Sequence, residues 1–109
     1  MHKIDISSYS IKVKNPATGG FAKVDYNIQE MLVGVLLHPS LSLTGLELYS
    51  RTSIADKIKM ADGVLLLEED EYAKLKSAVS LIKGFGMNDA ELVRRVIEAE
   101  EVDVAESGG

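Results

Sequence analysis

Apolar and polar positions alternate through the first part of the chain. Ile4 and Ile6, then Ile11 and Val13, then Ala22, Val24 and Tyr26 recur at every second residue, with Asp5, Lys12, Lys23 and Asp25 between them. A period of two marks half-buried strands. Ser7-Ser8 interrupts the first run and predicts a bend or bulge. Asn15-Pro16-Ala17-Thr18-Gly19-Gly20 is a turn by composition. The runs 10–14 and 21–26 should therefore pair as an antiparallel hairpin with a loop of about five or six residues.

The period then changes. Asn27-Ile28-Gln29-Glu30 has capping-box spacing, with Asn in place of Ser or Thr. The helix predicted over 28–37 is apolar at Ile28, Met31, Leu32, Val33, Val35, Leu36 and Leu37. A helix apolar nearly all round should be buried nearly all round. His38-Pro39 ends it, because the residue before proline avoids the helical region. Thr44 with Glu47, and Ser53 with Asp56, repeat the capping spacing, so 45–61 reads as one helix or two. Val64-Leu65-Leu66-Leu67 is a continuous apolar run, as expected for a central strand buried on both faces. Glu68 to Glu71 opens a helix with the stripe Leu75, Ala78, Val79 and Ile82, closed by Gly84-Phe85-Gly86. Asn88 with Glu91 opens a last helix to about Glu101, with Leu92, Val93, Val96 and Ile97 inward.

The order β-β-α-α-β-α-α predicts the α+β class. The expected architecture is a three-stranded sheet, the N-terminal hairpin plus one short central strand, packed against four or five short helices. The alternative is a mainly helical bundle with the hairpin appended. Residues 1–101 should form one compact domain and 102–109 an acidic tail that frays.

Composition narrows the function classes. The 109 residues are 46% hydrophobic and 27% charged, with mean hydropathy +0.06, which are globular values. The formal net charge is −5, a poor balance for sequence-independent binding to nucleic-acid phosphates. The charge is uneven: residues 1–38 hold four Lys against three acids, and residues 39–109 hold eight bases against fourteen acids. Cysteine is absent, which removes disulfides, thiolate metal sites and cysteine nucleophiles. The N-terminus has no apolar signal-like stretch, and the longest apolar run, Met31 to Leu37, falls short of the roughly 20 residues of a membrane span. A soluble, cytoplasmic protein is the expectation.

No constellation of catalytic type stands out. His2 and His38 are the only histidines, and neither has a sequence neighbour that suggests a metal or acid–base pair; His38 is expected to favour the carbonyl end of the helix it closes. No serine lies in Gly-x-Ser-x-Gly, and Gly19-Gly20 and Gly84-Phe85-Gly86 lack the spacing of phosphate loops. Four consecutive acids, Glu68, Glu69, Asp70 and Glu71, splay around a helix and suit its N-terminal dipole better than a cation. The last two helices have helix–turn–helix spacing, but an outer face of Glu91, Arg94, Arg95, Glu98 and Glu101 is the wrong balance for DNA. No catalytic residue, cofactor, metal, membrane or small-molecule substrate is therefore expected.

What remains are contact surfaces. Gly34 sits mid-helix at a cost of about 1 kcal/mol relative to alanine, tolerable where another backbone comes close. Val33, Gly34 and Leu37 are thus a candidate interface. The acids Glu68, Glu69, Asp70 and Glu71 are a second. The hairpin, carrying Lys12, Lys14 and Lys23 as edge protection, is another possible contact. Short length, absent cysteine, the hairpin-plus-helices order, the Leu-rich stretch Leu41–Leu48 and the closing helix from Asn88 together resemble small acidic α+β proteins of tailed phages and prophages. That resemblance implies an accessory role in particle assembly or in takeover of a host protein, in the cytoplasm or within a virion. The expected function is a non-enzymatic protein–protein interaction or assembly protein, working through a protein partner or self-association. The alternative is a small acidic regulator that binds a host macromolecule through residues 68–71 or 98–106.

Overall fold

Ser7 and Ser8 divide the N-terminal alternation between two sheets. The computed structural model describes residues 1–102. Strand β1 (His2–Asp5) stops before the serines and β2 (Tyr9–Lys14) starts after them. Asp5 fastens the corner: its Oδ1 accepts from the Ser7 amide at 2.9 Å and from Ser7 Oγ at 2.6 Å. Those bonds hold the Asp5 carboxyl below the usual carboxylate range.

Beyond the corner, β2 pairs among the described residues with β3 (Phe21–Tyr26) alone, from Tyr9 opposite Tyr26 to Lys14 opposite Phe21. The hairpin expected from alternation and turn chemistry is present, with residues 15–20 as its loop. It does not belong to a sheet with the third strand. That sheet has the order β4-β1-β5, where β4 is Val64–Leu67 and β5 is Glu100–Glu101. Both outer strands run antiparallel to β1. The serine corner turns the chain out of the sheet, so β1, not the hairpin, partners the apolar run.

Two sequence expectations change with this topology. The run Val64–Leu67 is an edge strand, not a central one, and only Leu65 and Leu67 are buried; Val64 and Leu66 lie on the open face with Lys3 and Asp5. The last helix, α4, ends early: it spans Ala90–Ile97, and the chain then turns into β5. Val102 extends that pairing, its amide donating to the Met1 carbonyl at 2.7 Å while the Met1 ammonium donates to the Val102 carbonyl at 2.9 Å. The tail expected over 102–109 lies, from residue 103 on, outside the described residues.

The helices cover the other face. Helix α1 (Ile28–Leu36) is capped by Asn27, whose side chain accepts from the Glu30 amide, and buries Ile28, Leu32, Val35 and Leu36. It is not enclosed all round: Asn27, Glu30, Met31, Gly34 and His38 form an exposed stripe. Helix α2 (Gly45–Met60) is one helix; Thr44 caps it by accepting from the Glu47 amide, and Ser53 lies inside it, donating to the Ser50 carbonyl. Its buried Arg51 donates to the Leu36 carbonyl at 3.1 Å and pairs with Glu47 at 2.9 Å, satisfying the end of α1. Helix α3 (Glu69–Leu81) starts from a Glu68/Glu71 capping box and buries Tyr72, Leu75, Ala78 and Val79. With Leu92 and Val96 of α4 and Ile54, Ala55 and Ile58 of α2, these close one core over Ile4, Leu65 and Leu67. Each such fully buried aliphatic stabilises the fold by about 1.5–3 kcal/mol. The class is α+β, with four α-helices, two short 3-10 turns and five strands among the described residues. No helix among them is long and apolar enough to cross a membrane.

Candidate interaction surfaces

The hairpin is held at its base and bare towards its tip. Tyr9 and Tyr26 stack at 4.6 Å between ring centroids. Tyr26 donates its hydroxyl to Asp89 Oδ1 at 2.5 Å, and Tyr9 donates to the Asn88 carbonyl at 2.9 Å. Burial, together with the Asp89 carboxylate, pushes the Tyr26 hydroxyl's pKa well up, so it stays a donor. Arg95 lies 5.0 Å over the Tyr9 ring and donates to the carbonyls of Asp5 and Ser7. One guanidinium thus ties α4, the serine corner and the ribbon together.

Register sorts the ribbon's side chains onto two faces. Ile11 opposite Val24, and Val13 opposite Ala22, continue the apolar face beyond the tyrosines; Val13 is 42% exposed and Val24 43%. The opposite face sets Lys12 directly across from Lys23 and Lys14 across from Phe21, which is 72% exposed. Like charges directly opposite one another destabilise a ribbon. None of these three lysines makes a salt bridge among the described residues.

The candidate surface on α1 is divided differently from expectation. Val33 and Leu37 are half-buried and packed against the core margin, while Gly34 is exposed. A Cβ added at Gly34 would meet nothing beyond its own helix within 4 Å, so no other element among the described residues approaches the glycine closely. Gly34 floors an open groove of about 270 Å³, with Met31 and His38 on one side and Ile82 and Phe85 on the other. His38 does not serve the carbonyl end of α1. Its Nδ1 accepts from the Ser40 amide at 3.1 Å and so caps the turn Pro39–Leu41.

The four consecutive acids diverge. Glu71 reaches α2, pairing with Lys57 at 2.7 Å, and also accepts from the Glu68 amide. Glu69 reaches the sheet, 2.8 Å from His2 Nε2. Asp70 is exposed. No three His, Asp or Glu side chains among the described residues are grouped to hold a metal. The His2 site had no signal in the sequence. The residue is only 9% exposed, its ring stacks on Tyr72 at 3.8 Å and 12°, and its buried Nδ1 has no hydrogen-bond partner among the described residues. Tyr72 in turn donates to the Val96 carbonyl at 2.6 Å. These groups are far apart in the chain, so no local spacing could announce them.

On α4, Glu91 accepts from Arg94 and from Arg95, which brings its pKa down to about 2. Arg94 also reaches Glu98 at 3.3 Å. No family model matches the chain, and no curated protein or solved structure matches it at a significant level.

Proposed function

We propose that this is a non-enzymatic assembly protein that works by contact with another protein, and that the β2–β3 ribbon is its contact element. The observation that carries the reading is the bare distal half of the ribbon, with Val13, Ala22 and Val24 exposed on one face and, on the other, three lysines that make no salt bridge among the described residues. A lone two-stranded hairpin is marginally stable in water. Here the chain anchors one with two tyrosines and an arginine and leaves its far end without a packing partner. A protein partner would cover the apolar face and neutralise the lysines. An accessory role in particle assembly, the role implied by the resemblance to phage proteins, is work of this kind.

The test is affinity capture with Val13→Lys/Val24→Lys beside the wild type. Both substitutions lie on exposed strand positions, so far-UV circular dichroism and the melting midpoint should match. Loss of specific partners from the variant is expected. Identical partner sets from the two proteins would remove the ribbon from the function.

A further inference from the structure

The two ends of β1 differ in charge. The ribbon leaves from the Asp5 end of β1, where Tyr26 and Tyr9 meet the start of α4 at Asp89 and Asn88. The other end of β1 has a different character. His2 lies opposite Leu67 and opposite Glu101, so the start of α3, the end of α4 and β5 converge there. That convergence brings together the exposed acids Glu68, Glu69, Asp70, Glu98, Glu100 and Glu101 with the Met1 ammonium, Lys3 opposite Glu100, Lys76 over the Tyr72 ring and Arg94 on Glu98, a net of about −2. Residues 9–26 hold three lysines against one aspartate, a net of +2, so the rest of the chain carries −7 of the total −5.

From this geometry we infer that the ribbon of one copy docks on the acidic end of a second copy; the inference rests on the reading of the ribbon as a contact element. Charge names the occupant. Ribbon against ribbon would set lysines against lysines, and acidic end against acidic end would set carboxylates against carboxylates. Only the unlike ends attract. They lie at opposite ends of β1, so the ribbon of one copy meets the acidic end of another, either reciprocally in a closed two-fold pair or head-to-tail in a series. A head-to-tail contact repeats: it closes into a ring or grows as a filament. At about 0.15 M salt the screening length of about 8 Å confines electrostatics to the contact, so the repulsion between net-negative bodies does not prevent it.

Light scattering coupled to size exclusion tests this over a concentration series. At about 0.15 M salt the mass should climb from the 11.8 kDa of one chain to at least twice that, and at about 1 M salt, where screening is nearly complete, it should fall back. Lys12→Glu/Lys14→Glu/Lys23→Glu should stay at one chain mass, and so should Glu100→Lys/Glu101→Lys. An equimolar mixture of the two variants should reach twice the mass of one chain, because the unaltered ribbon of one then meets the unaltered acidic end of the other. That recovery separates lost attraction from lost folding. A wild type of one chain mass throughout would overturn the inference. So would a ribbon variant that associates like wild type, or a wild type that instead binds duplex DNA saturably through these lysines. In the first case, capture that still depends on Val13 and Val24 would leave the contact reading standing with a different partner.

Discussion

His2 shows how one side chain can be well packed and poorly satisfied at once. Its ring gains a stacked neighbour in Tyr72, an arrangement worth about 0.5–1.5 kcal/mol beyond area. Its buried Nδ1 lacks a partner, and an orphaned polar atom costs about 1–3 kcal/mol. The Glu69 bond offsets little, since that carboxylate is 77% exposed and returns readily to water. His2→Phe should therefore match or exceed wild-type stability in urea unfolding, while His2→Ala should lose roughly 1–3 kcal/mol by leaving a void beside Tyr72. A Phe variant as destabilised as the Ala variant would mean that the Glu69 bond dominates. Tyr26 presents the opposite case, a short bond to a carboxylate at the root of the ribbon. Tyr26→Phe should cost roughly 1–3 kcal/mol in the same assay. It should also speed amide exchange across residues 9–26 more than in the core helices.

At the scale of elements, local chemistry was readable and non-local pairing was not. Asn27 and Thr44 cap their helices as their spacing predicts, because a cap depends on three following residues and nothing else. Ser53 has the same spacing and starts nothing, since the helix already runs through it and its hydroxyl turns back to Ser50. Strand β5 consists of two glutamates that no propensity scale would place in a sheet; pairing with His2 and Lys3 alone makes them a strand. Among the candidate site residues, 68–71 were legible as a helix start, whereas the separate destinations of Glu69 and Glu71 depended on tertiary neighbours. The stripe of α1 departs from expectation because a helix can be apolar nearly all round and still have one face that no other element covers. Met31 and Gly34 in fact face the open groove. With room at its Cβ, Gly34→Ala should stabilise the chain by about 0.5–1 kcal/mol in thermal unfolding without changing ribbon-dependent association. Lost association would instead place a partner's backbone over Gly34. Helix α4 carries a pH signature. The Glu91 carboxyl falls from its usual 4.5 to about 2 in the folded state, so the unfolded chain takes up the proton first. Its stabilisation is complete above about pH 4.5 and lost as pH falls through about 2. The melting temperatures of wild type and Glu91→Gln should converge across that interval and stay apart above it.

For the whole molecule, the division into two sheets separates stability from contact. The body has its own core of helices on β4-β1-β5, and the ribbon adds little to it beyond Tyr26 and the half-buried Tyr9 and Ile11. Substitutions towards the ribbon tip should therefore act on assembly, and substitutions in Ile4, Leu32, Leu75 or Leu92 on folding. The described chain also nearly meets itself: Met1 and Val102 exchange backbone hydrogen bonds in both directions. Backbone hydrogen bonds, not a covalent link, close the described chain there. Joining Met1 to the residues that follow Val102, and opening the chain instead between Asn15 and Gly20, would keep every strand pairing of the body. It would leave the arm as two loose ends, so the same amino acids, reconnected, would give a folded protein without its reach.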